Sequence, residues 1–166
     1  KEALANKALA NKRYYPVSKN ILIKDCTGKG MDWVESVVKY EKPDIVILDM
    51  GDKFADIRSE RTDITLKAAA IHARNIAKQY DCAVIWMSQL SAEAEGRADL
   101  NQAMMEGSKT GKAAEADLMI LIGKTQQVEG EDEDPIRYLN IAKNKLNGFQ
   151  GKITCQLDGS RSLYSA

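Results

Sequence analysis

Asp49, Ser88 and Gln89 are the residues whose types and positions could do chemistry. Asp49 closes the aliphatic run 45–48, and Ser88 and Gln89 follow a second apolar run, 83–87. Nucleotide hydrolases use a carboxylate at a strand end to hold a magnesium-bound water, and a neutral amide on a neighbouring strand can sense a phosphate without adding charge. Aliphatic strands that end in aspartate are also common throughout α/β proteins. These residues alone therefore leave a nucleotide role for Asp49 open.

A strand–helix–strand unit must position these residues. Both apolar runs are short and rich in Val and Ile, which suits strands that are covered on both faces of a parallel sheet. Between them, apolar residues recur near a 3.6-residue period from Thr62 to Tyr80, and Asp63 lies in the first turn, where the helix dipole favours an acid. This is the parallel crossover unit, in which ligands collect at the carboxyl ends of the strands. We therefore expect Asp49 and Gln89 to face a common cleft.

The rest of the chain predicts an α/β fold with a parallel core, flanking helices and C-terminal antiparallel strands. A tight-turn signal at Asp158-Gly159 separates the last two strand-like runs. The connector from Met50 to Arg61 is polar and predicts a surface loop near the active edge. The remaining predicted elements are a strand over Asn20–Lys24, a helix over Met31–Tyr40, and strands over Ile136–Ala142, Lys152–Leu157 and Ser162–Tyr164.

Composition sets the outer limits. The 166 residues suit one domain, and 24 basic residues balance 24 acidic ones, so a polyanion site must be local. Three widely spaced cysteines argue against a disulfide framework or a zinc knuckle, and no apolar stretch approaches the ~20 residues that span a bilayer. These features predict a cytoplasmic protein. The chain starts at Lys1 inside a helical pattern, which suggests that it was cut from something longer.

Two segments look like phosphate loops and fail the pattern. Thr27–Gly30 lacks the first glycine and the final hydroxyl, so it predicts a turn. In Gly107–Asp117 the glycines are one residue too close, Ala113 replaces the hydroxyl, and the segment precedes a strand where a true phosphate loop follows one. Its lysines and hydroxyls suit contacts to a nucleic-acid backbone, and a solvated turn that leads into a helix explains them equally well.

Lys143 and Lys145 form the last candidate pair. Two lysines at i and i+2 on leaving a strand point to the same side, and they repel each other unless an anion lies between them. They predict either an anionic partner or simply two exposed lysines.

The order of these features resembles the RecA-like motor domain of replicative DNA helicases, of the DnaB type and the phage primase-helicases. The resemblance covers residue 20 to the end. Its most specific elements are Ser88-Gln89-Leu90, the strand opened by Glu115-Ala116-Asp117, and the lysine–glycine hairpin from Lys143 to Gly151.

The resemblance implies roles for individual residues at the strand ends. Asp49 would be the Walker B acid that coordinates Mg²⁺ through water, with Ser88 beside the nucleotide and Gln89 as the γ-phosphate sensor. Lys143 and Lys145 fall where the family places a lysine and an arginine that reach the neighbouring subunit's ATP. Here Lys145 stands in place of the arginine, and lysine cannot make the forked contact.

The resemblance also implies a DNA-binding loop. The segment from Ser91 to Lys112 corresponds to the region that lines the central channel of a homo-oligomer, expected to be a hexameric ring around single-stranded DNA. The residues that would contact the DNA are Arg97, Ser108, Lys109 and Lys112.

No phosphate loop exists in the sequence, and the glutamate that activates water in the family would lie before Lys1 or close to it. We therefore predict the C-terminal portion of an ATP- and Mg²⁺-dependent helicase motor, a partial domain over residues 1–166 that does not hydrolyse ATP by itself. Two other interpretations stay open. One is a RecA- or RadA-like recombination ATPase of the same fold, and the other is a non-catalytic DNA-binding or assembly module.

Overall fold

The computed structural model describes residues 20–54, 62–107, 111–126 and 134–165. The described residues form three α-helices and six β-strands, joined by short 3₁₀ turns. The helices are α1 (Met31–Glu41), α2 (Thr62–Gln79) and α3 (Gly111–Glu115), and the strands are β1 (Ile45–Leu48), β2 (Ala83–Trp86), β3 (Leu118–Gly123), β4 (Ile136–Asn144), β5 (Gly151–Asp158) and β6 (Leu163–Ser165). None of the helices in these ranges is both long and apolar enough to cross a membrane.

The predicted crossover unit is confirmed. β1 and β2 pair in parallel, with Ile45 opposite Ala83 and Leu48 opposite Trp86, and α2 connects them. Both strands therefore end at the same edge of the sheet, so the residues after Leu48 and after Trp86 are neighbours. One face of this pair packs on α1 and α2, around a core that includes Val38 and Ile76.

The C-terminal strands are antiparallel, as predicted. They form a second sheet in the order β3-β4-β5-β6, with a register shift beside Met119 in β3. A second core lies under this sheet and the preceding loop. Its buried members are Ala94, Leu100, Met104, Met105, Ala113, Met119 and Leu121.

The path of α3 fixes the direction of β3. Lys112, in the first turn of α3, contacts Ser88 beyond the end of β2. At the other end of α3, Glu115 and Asp117 contact Arg74, in the later half of α2. Because α2 leads back to the start of β2, α3 runs opposite to β2, and β3 starts near the beginning of β2. β3 is therefore parallel to β2.

The strand predicted over Asn20–Lys24 is wrong. Residues 20–26 have no regular structure, and no described strand pairs with them. Ile21 and Ile23 are 60% and 89% exposed. The aliphatic pattern is that of a strand, but a strand is defined by pairing with a neighbour, and this segment has none among the described residues.

The turn predicted at Thr27–Gly30 is confirmed, since the Lys29 amide donates to the Cys26 carbonyl at 2.9 Å.

Candidate functional site

The strand ends bring Asp49 and Gln89 to one edge of the sheet. The Met87 amide donates to the Leu48 carbonyl at 3.1 Å, and the Gly51 amide donates to the Met87 carbonyl at 2.8 Å. The chain after Asp49 therefore folds back over the end of β2. The side chains of Asp49 and Gln89 are both exposed. Gln89 lines a cavity beside β2, whereas Asp49 does not line it.

Asp52 is the acid that the sequence reasoning missed. The 3₁₀ turn Gly51–Phe54 carries it back over β2, where its carboxylate accepts a hydrogen bond from Trp86 Nε1 at 3.0 Å. Its other oxygen accepts from Ser88 Oγ at 2.6 Å. Asp52 lies in the connector that predicted a surface loop, and its position three residues after Asp49 was the available signal. A tight turn at that spacing returns a side chain to the strand end.

Lys112, predicted to contact a nucleic-acid backbone or to lie in a solvated turn that leads into a helix, is instead a buried member of this cluster. Its Nζ atom lies 2.9 Å from both carboxylate oxygens of Asp52 and 2.7 Å from Ser88 Oγ. The residue is only 6% exposed, because α3 starts at Gly111 and packs its first turn inward. A buried ammonium needs such partners to offset its lost hydration. Lys112 therefore ties α3 to the ends of β1 and β2.

Gly51 makes this arrangement possible. A Cβ atom at position 51 would lie 2.4 Å from two ring carbons of Trp86. Only glycine lets the backbone come this close to the indole, and the close approach lets Asp52 reach both Trp86 Nε1 and Ser88.

Solved structures share this architecture. One is a DnaB-like replicative helicase, described with its interactions with primase, at a TM-score of 0.75 and 22% identity over 89% of this chain. Another is described as an ATPase domain, at a TM-score of 0.70 and 18% identity over 82% of this chain. The chain has the RecA-like fold. It spans 38% of the first matched chain and 51% of the second. No protein-family model and no curated protein matches the sequence.

In this RecA-like chain, the Lys143–Lys145 pair lies against the end of α3. Lys143 Nζ donates to the carbonyls of Ala113 and, at 3.2 Å, Ala114. Lys145 Nζ lies 3.5 Å from the Ala114 carbonyl and from Asp117 Oδ1. Carbonyls at a helix C-terminus attract cations. Of these partners only Asp117 is anionic, and it contacts Lys145.

The surroundings of this pair shift two pKa values. Burial, followed by repulsion from Lys145, lowers the pKa of Lys143. The pKa of Asp117 is lowered despite a partial burial that opposes the shift, because Arg74 and Lys145 both donate to its carboxylate. This corner of the fold is an internal charge network.

The segment between Gln89 and Gly107 is an ordered, closed loop. A bridge pairs Leu90 with Met105, the Ser91 amide donates to the Met104 carbonyl at 2.8 Å, and the Glu106 amide donates to the Gln89 carbonyl at 3.2 Å. The sequence does not predict these contacts, because the composition of this segment is irregular. The loop is stabilised by its own buried residues in the second core, which have no regular spacing.

Asn140 fastens the loop to β4. Its amide group donates to the Ala98 carbonyl at 2.9 Å, and its oxygen accepts from the Leu100 amide at 3.3 Å. Of the predicted DNA contacts, Arg97 lies exposed on this loop. Ser108 and Lys109 lie outside the described residues.

The residues at the edge of the sheet form only part of a site for Mg²⁺ and a nucleotide. Within the described residues, no group of three or more His, Cys, Asp or Glu side chains could hold a metal ion. Mg²⁺ needs less than that from a protein, because in phosphoryl-transfer sites it takes one or two carboxylates, waters and substrate phosphates. Asp49 is exposed and fits that role, whereas both oxygens of Asp52 contact Lys112. A cradle for the phosphates is not found among the described residues.

Proposed function

We propose that this chain is the C-terminal part of an ATP-dependent replicative DNA helicase motor. In the intact parent, ATP hydrolysis at the interfaces of a hexameric ring drives translocation on single-stranded DNA and duplex unwinding. The observation that carries the proposal is the common edge of β1 and β2. Asp49 follows β1 and Ser88 and Gln89 follow β2 at this edge, and the Gln89 carbonyl accepts the Glu106 amide of the loop 90–107.

Asp49 would hold Mg²⁺ through water, and the ion, when bound, neutralises charge on the phosphates. Gln89 would contact the γ-phosphate. Its backbone carbonyl accepts the Glu106 amide at 3.2 Å, so a displacement of Gln89 is transmitted to both ends of the loop. Single-stranded DNA would contact Arg97 on this loop, together with Ser108 and Lys109, which follow it in the sequence. Lys112 is proposed to support the DNA-binding loop through its ion pair with Asp52.

Lys143 and Lys145 are proposed to reach the ATP of the neighbouring subunit. Their present partners are two helix-end carbonyls and the carboxylate of Asp117. These contacts hold both ammonium groups at one site, from which a phosphate of the neighbour could recruit them. Lys145 supplies charge without the planar fork of an arginine, so its contribution to the reaction is smaller than that of an arginine finger.

The intact parent protein tests this proposal. Asp49→Asn should reduce ATP turnover by at least about a hundredfold, since it removes the carboxylate that holds the ion. Gln89→Ala should uncouple turnover from single-stranded DNA, so that DNA no longer stimulates it. Asp44→Asn, at the opposite end of β1, is the matched control. ATP turnover and unwinding that survive Asp49→Asn would show that this chain does not supply the catalytic acid, and would favour the non-catalytic module.

A recombination ATPase of the same fold would share these effects on ATP turnover. A forked-DNA substrate separates it from a helicase, because the motor proposed here unwinds the fork, whereas a recombinase promotes pairing of strands.

A further inference from the structure

The loop between β4 and β5 carries the dipeptide Asn147-Gly148, the one place in the sequence where glycine follows asparagine. An asparagine loses its amide group when the next backbone nitrogen attacks its side-chain carbon. Glycine favours this attack, because it has no side chain that shields the nitrogen and its backbone turns freely. Both residues are exposed, and Gly148 has a φ of +78° with nothing within 4 Å of the place of a Cβ. The space around the reacting atoms is therefore open.

The Gly148 amide is available for the attack. The neighbouring amides of Leu146, Asn147 and Phe149 each donate to a side-chain oxygen of the loop. The Gly148 amide, in contrast, has no hydrogen-bond partner among the residues that the structure describes. An attacking amide gives up its proton, so a hydrogen bond that it donated would have to break first. No such bond holds Gly148 back.

The oxygen of the Asn147 side chain is held by two donors. Its Oδ1 atom accepts from the Phe149 amide at 3.0 Å and from Asn144 Nδ2 at 2.6 Å. Attack on the carbon turns this oxygen into an oxyanion, and donors already in place stabilise the charge as it develops. The loop thus combines an unengaged nucleophile with an oxyanion hole.

Asn144 is the positioning residue of this arrangement. Its own oxygen accepts from the amides of Leu146, at 3.0 Å, and Asn147, at 3.4 Å, so the Nδ2 group is left to face Asn147 Oδ1. Asn144 is the last residue of β4 and pairs with Leu118 of β3. The sheet therefore fixes the donor beside the reacting amide.

We propose that Asn147 is a site of self-catalysed deamidation. The Gly148 nitrogen bonds to Asn147 Cγ and loses its proton to solvent, and the bond from Cγ to Nδ2 breaks. The nitrogen leaves as ammonia with the proton that it takes up, and a cyclic imide joins the two residues. Water then opens the imide at either carbonyl and yields aspartate or isoaspartate. Water is the only co-reactant, and nothing is oxidised or reduced.

The aspartate product fits the loop and changes its charge. Both contacts to Asn147 Oδ1 come from donors, which a carboxylate accepts more strongly than an amide does. The segment 143–151 holds two lysines and no acid, so one new carboxylate lowers its charge from +2 to +1. The attraction of Lys143 and Lys145 for a phosphate is weakened accordingly. This consequence rests on the proposed function, whereas the deamidation itself does not.

Incubation of the chain at neutral pH in heavy-oxygen water, followed by peptide mass spectrometry, tests the proposal. We expect Asn147 to take up solvent oxygen at least about threefold faster in the folded chain than in guanidinium chloride, a fraction of the ~hundredfold that one such donor contributes in a buried site. Asn101 is the internal control. It is exposed and its Oδ1 also accepts a backbone amide, that of Ala103 at 2.9 Å, but Gln102 follows it, so it should take up no label.

Asn144→Asp tests the oxyanion hole. It keeps an oxygen for the amides of Leu146 and Asn147 and removes the donor to Asn147 Oδ1. The reaction in the folded variant should be at least about fivefold slower than in the parent chain, with equal rates for the two chains in guanidinium chloride.

Three results would overturn the site. They are the absence of label at Asn147, slower uptake in the folded chain than in the unfolded one, and an Asn144→Asp rate equal to that of the parent chain. The consequence for the motor is scored separately, as ATP turnover of the intact parent protein that carries Asn147→Asp. Lower turnover supports a phosphate contact by the hairpin. Unchanged turnover beside normal label uptake contradicts that contact and leaves the deamidation site standing.

Discussion

Lys112 and Asp52 form an ion pair that holds α3 against the ends of β1 and β2, with Nζ 2.9 Å from both carboxylate oxygens. Sixty residues separate them in sequence. The pair stands at the edge where the chemistry was expected, and neither partner was assigned to that edge from the sequence.

Removing Lys112 should destabilise the fold by more than the loss of one surface charge would. Lys112→Met leaves the half-buried Asp52 without its cation, and breaking such a pair costs about 3 kcal/mol. Asp52→Asn combined with Lys112→Met should cost less than the sum of the two single changes, because each single change leaves one group unpaired. Urea unfolding of the four chains measures this coupling. Lys53→Met, on an exposed neighbour, is the control, and an equal loss in both methionine variants would contradict the ion pair.

Gly51→Ala should destabilise the chain by about 1–3 kcal/mol, because the new Cβ would lie 2.4 Å from ring carbons of Trp86. Gly159→Ala has open space around it and should change stability by less than about 0.5 kcal/mol. Chemical denaturation gives both values, and tryptophan fluorescence reports the displaced indole. A Gly51→Ala variant as stable as Gly159→Ala would show that the backbone does not depend on this close approach.

The pKa of Glu35 is lowered by the hydrogen bond to His72, at 2.7 Å, and by the hydroxyl of Tyr80, at 3.0 Å. A carboxyl with a lowered folded-state pKa stabilises the protein above its unfolded pKa, near 4.5, and loses that contribution as the pH falls through the folded value. Glu35→Gln should therefore melt at a lower temperature than the parent chain at about pH 7, and this difference should shrink at about pH 3. Thermal unfolding at both pH values measures it, and a difference that grows on acidification has the wrong sign for this pair.

Asn140 bonds to two backbone groups of the loop, the Ala98 carbonyl and the Leu100 amide. Asn140→Leu keeps the volume and leaves the Ala98 carbonyl and the Leu100 amide without these bonds, at a cost of about 1–3 kcal/mol. We expect faster amide exchange at Leu100 together with the lower stability. Asn75→Leu, on the exposed face of α2, is the matched control. Unchanged exchange at Leu100 would show that the second core alone holds the loop.

The sequence predicts the local architecture better than the site. Period and composition located α2 and the β1-β2 pair to within about one residue, because apolar spacing is set by burial within each element. The positions of Asp52 and Lys112 depend on a 3₁₀ turn and on how α3 docks, which are tertiary contacts that no local pattern encodes. The strand predicted over residues 20–24 was wrong for a related reason. Its aliphatic residues suit a strand, but a strand forms only when a partner strand elsewhere in the chain pairs with it.

The Leu90–Met105 bridge makes the loop that follows Gln89 stiff. Both of its ends are joined at one point, beside the Gln89 carbonyl, and its interior is packed on its own buried side chains. A small rotation of Gln89 would therefore move the whole loop as a rigid body about this point. The rotation would not be lost in local changes of flexible residues along the loop.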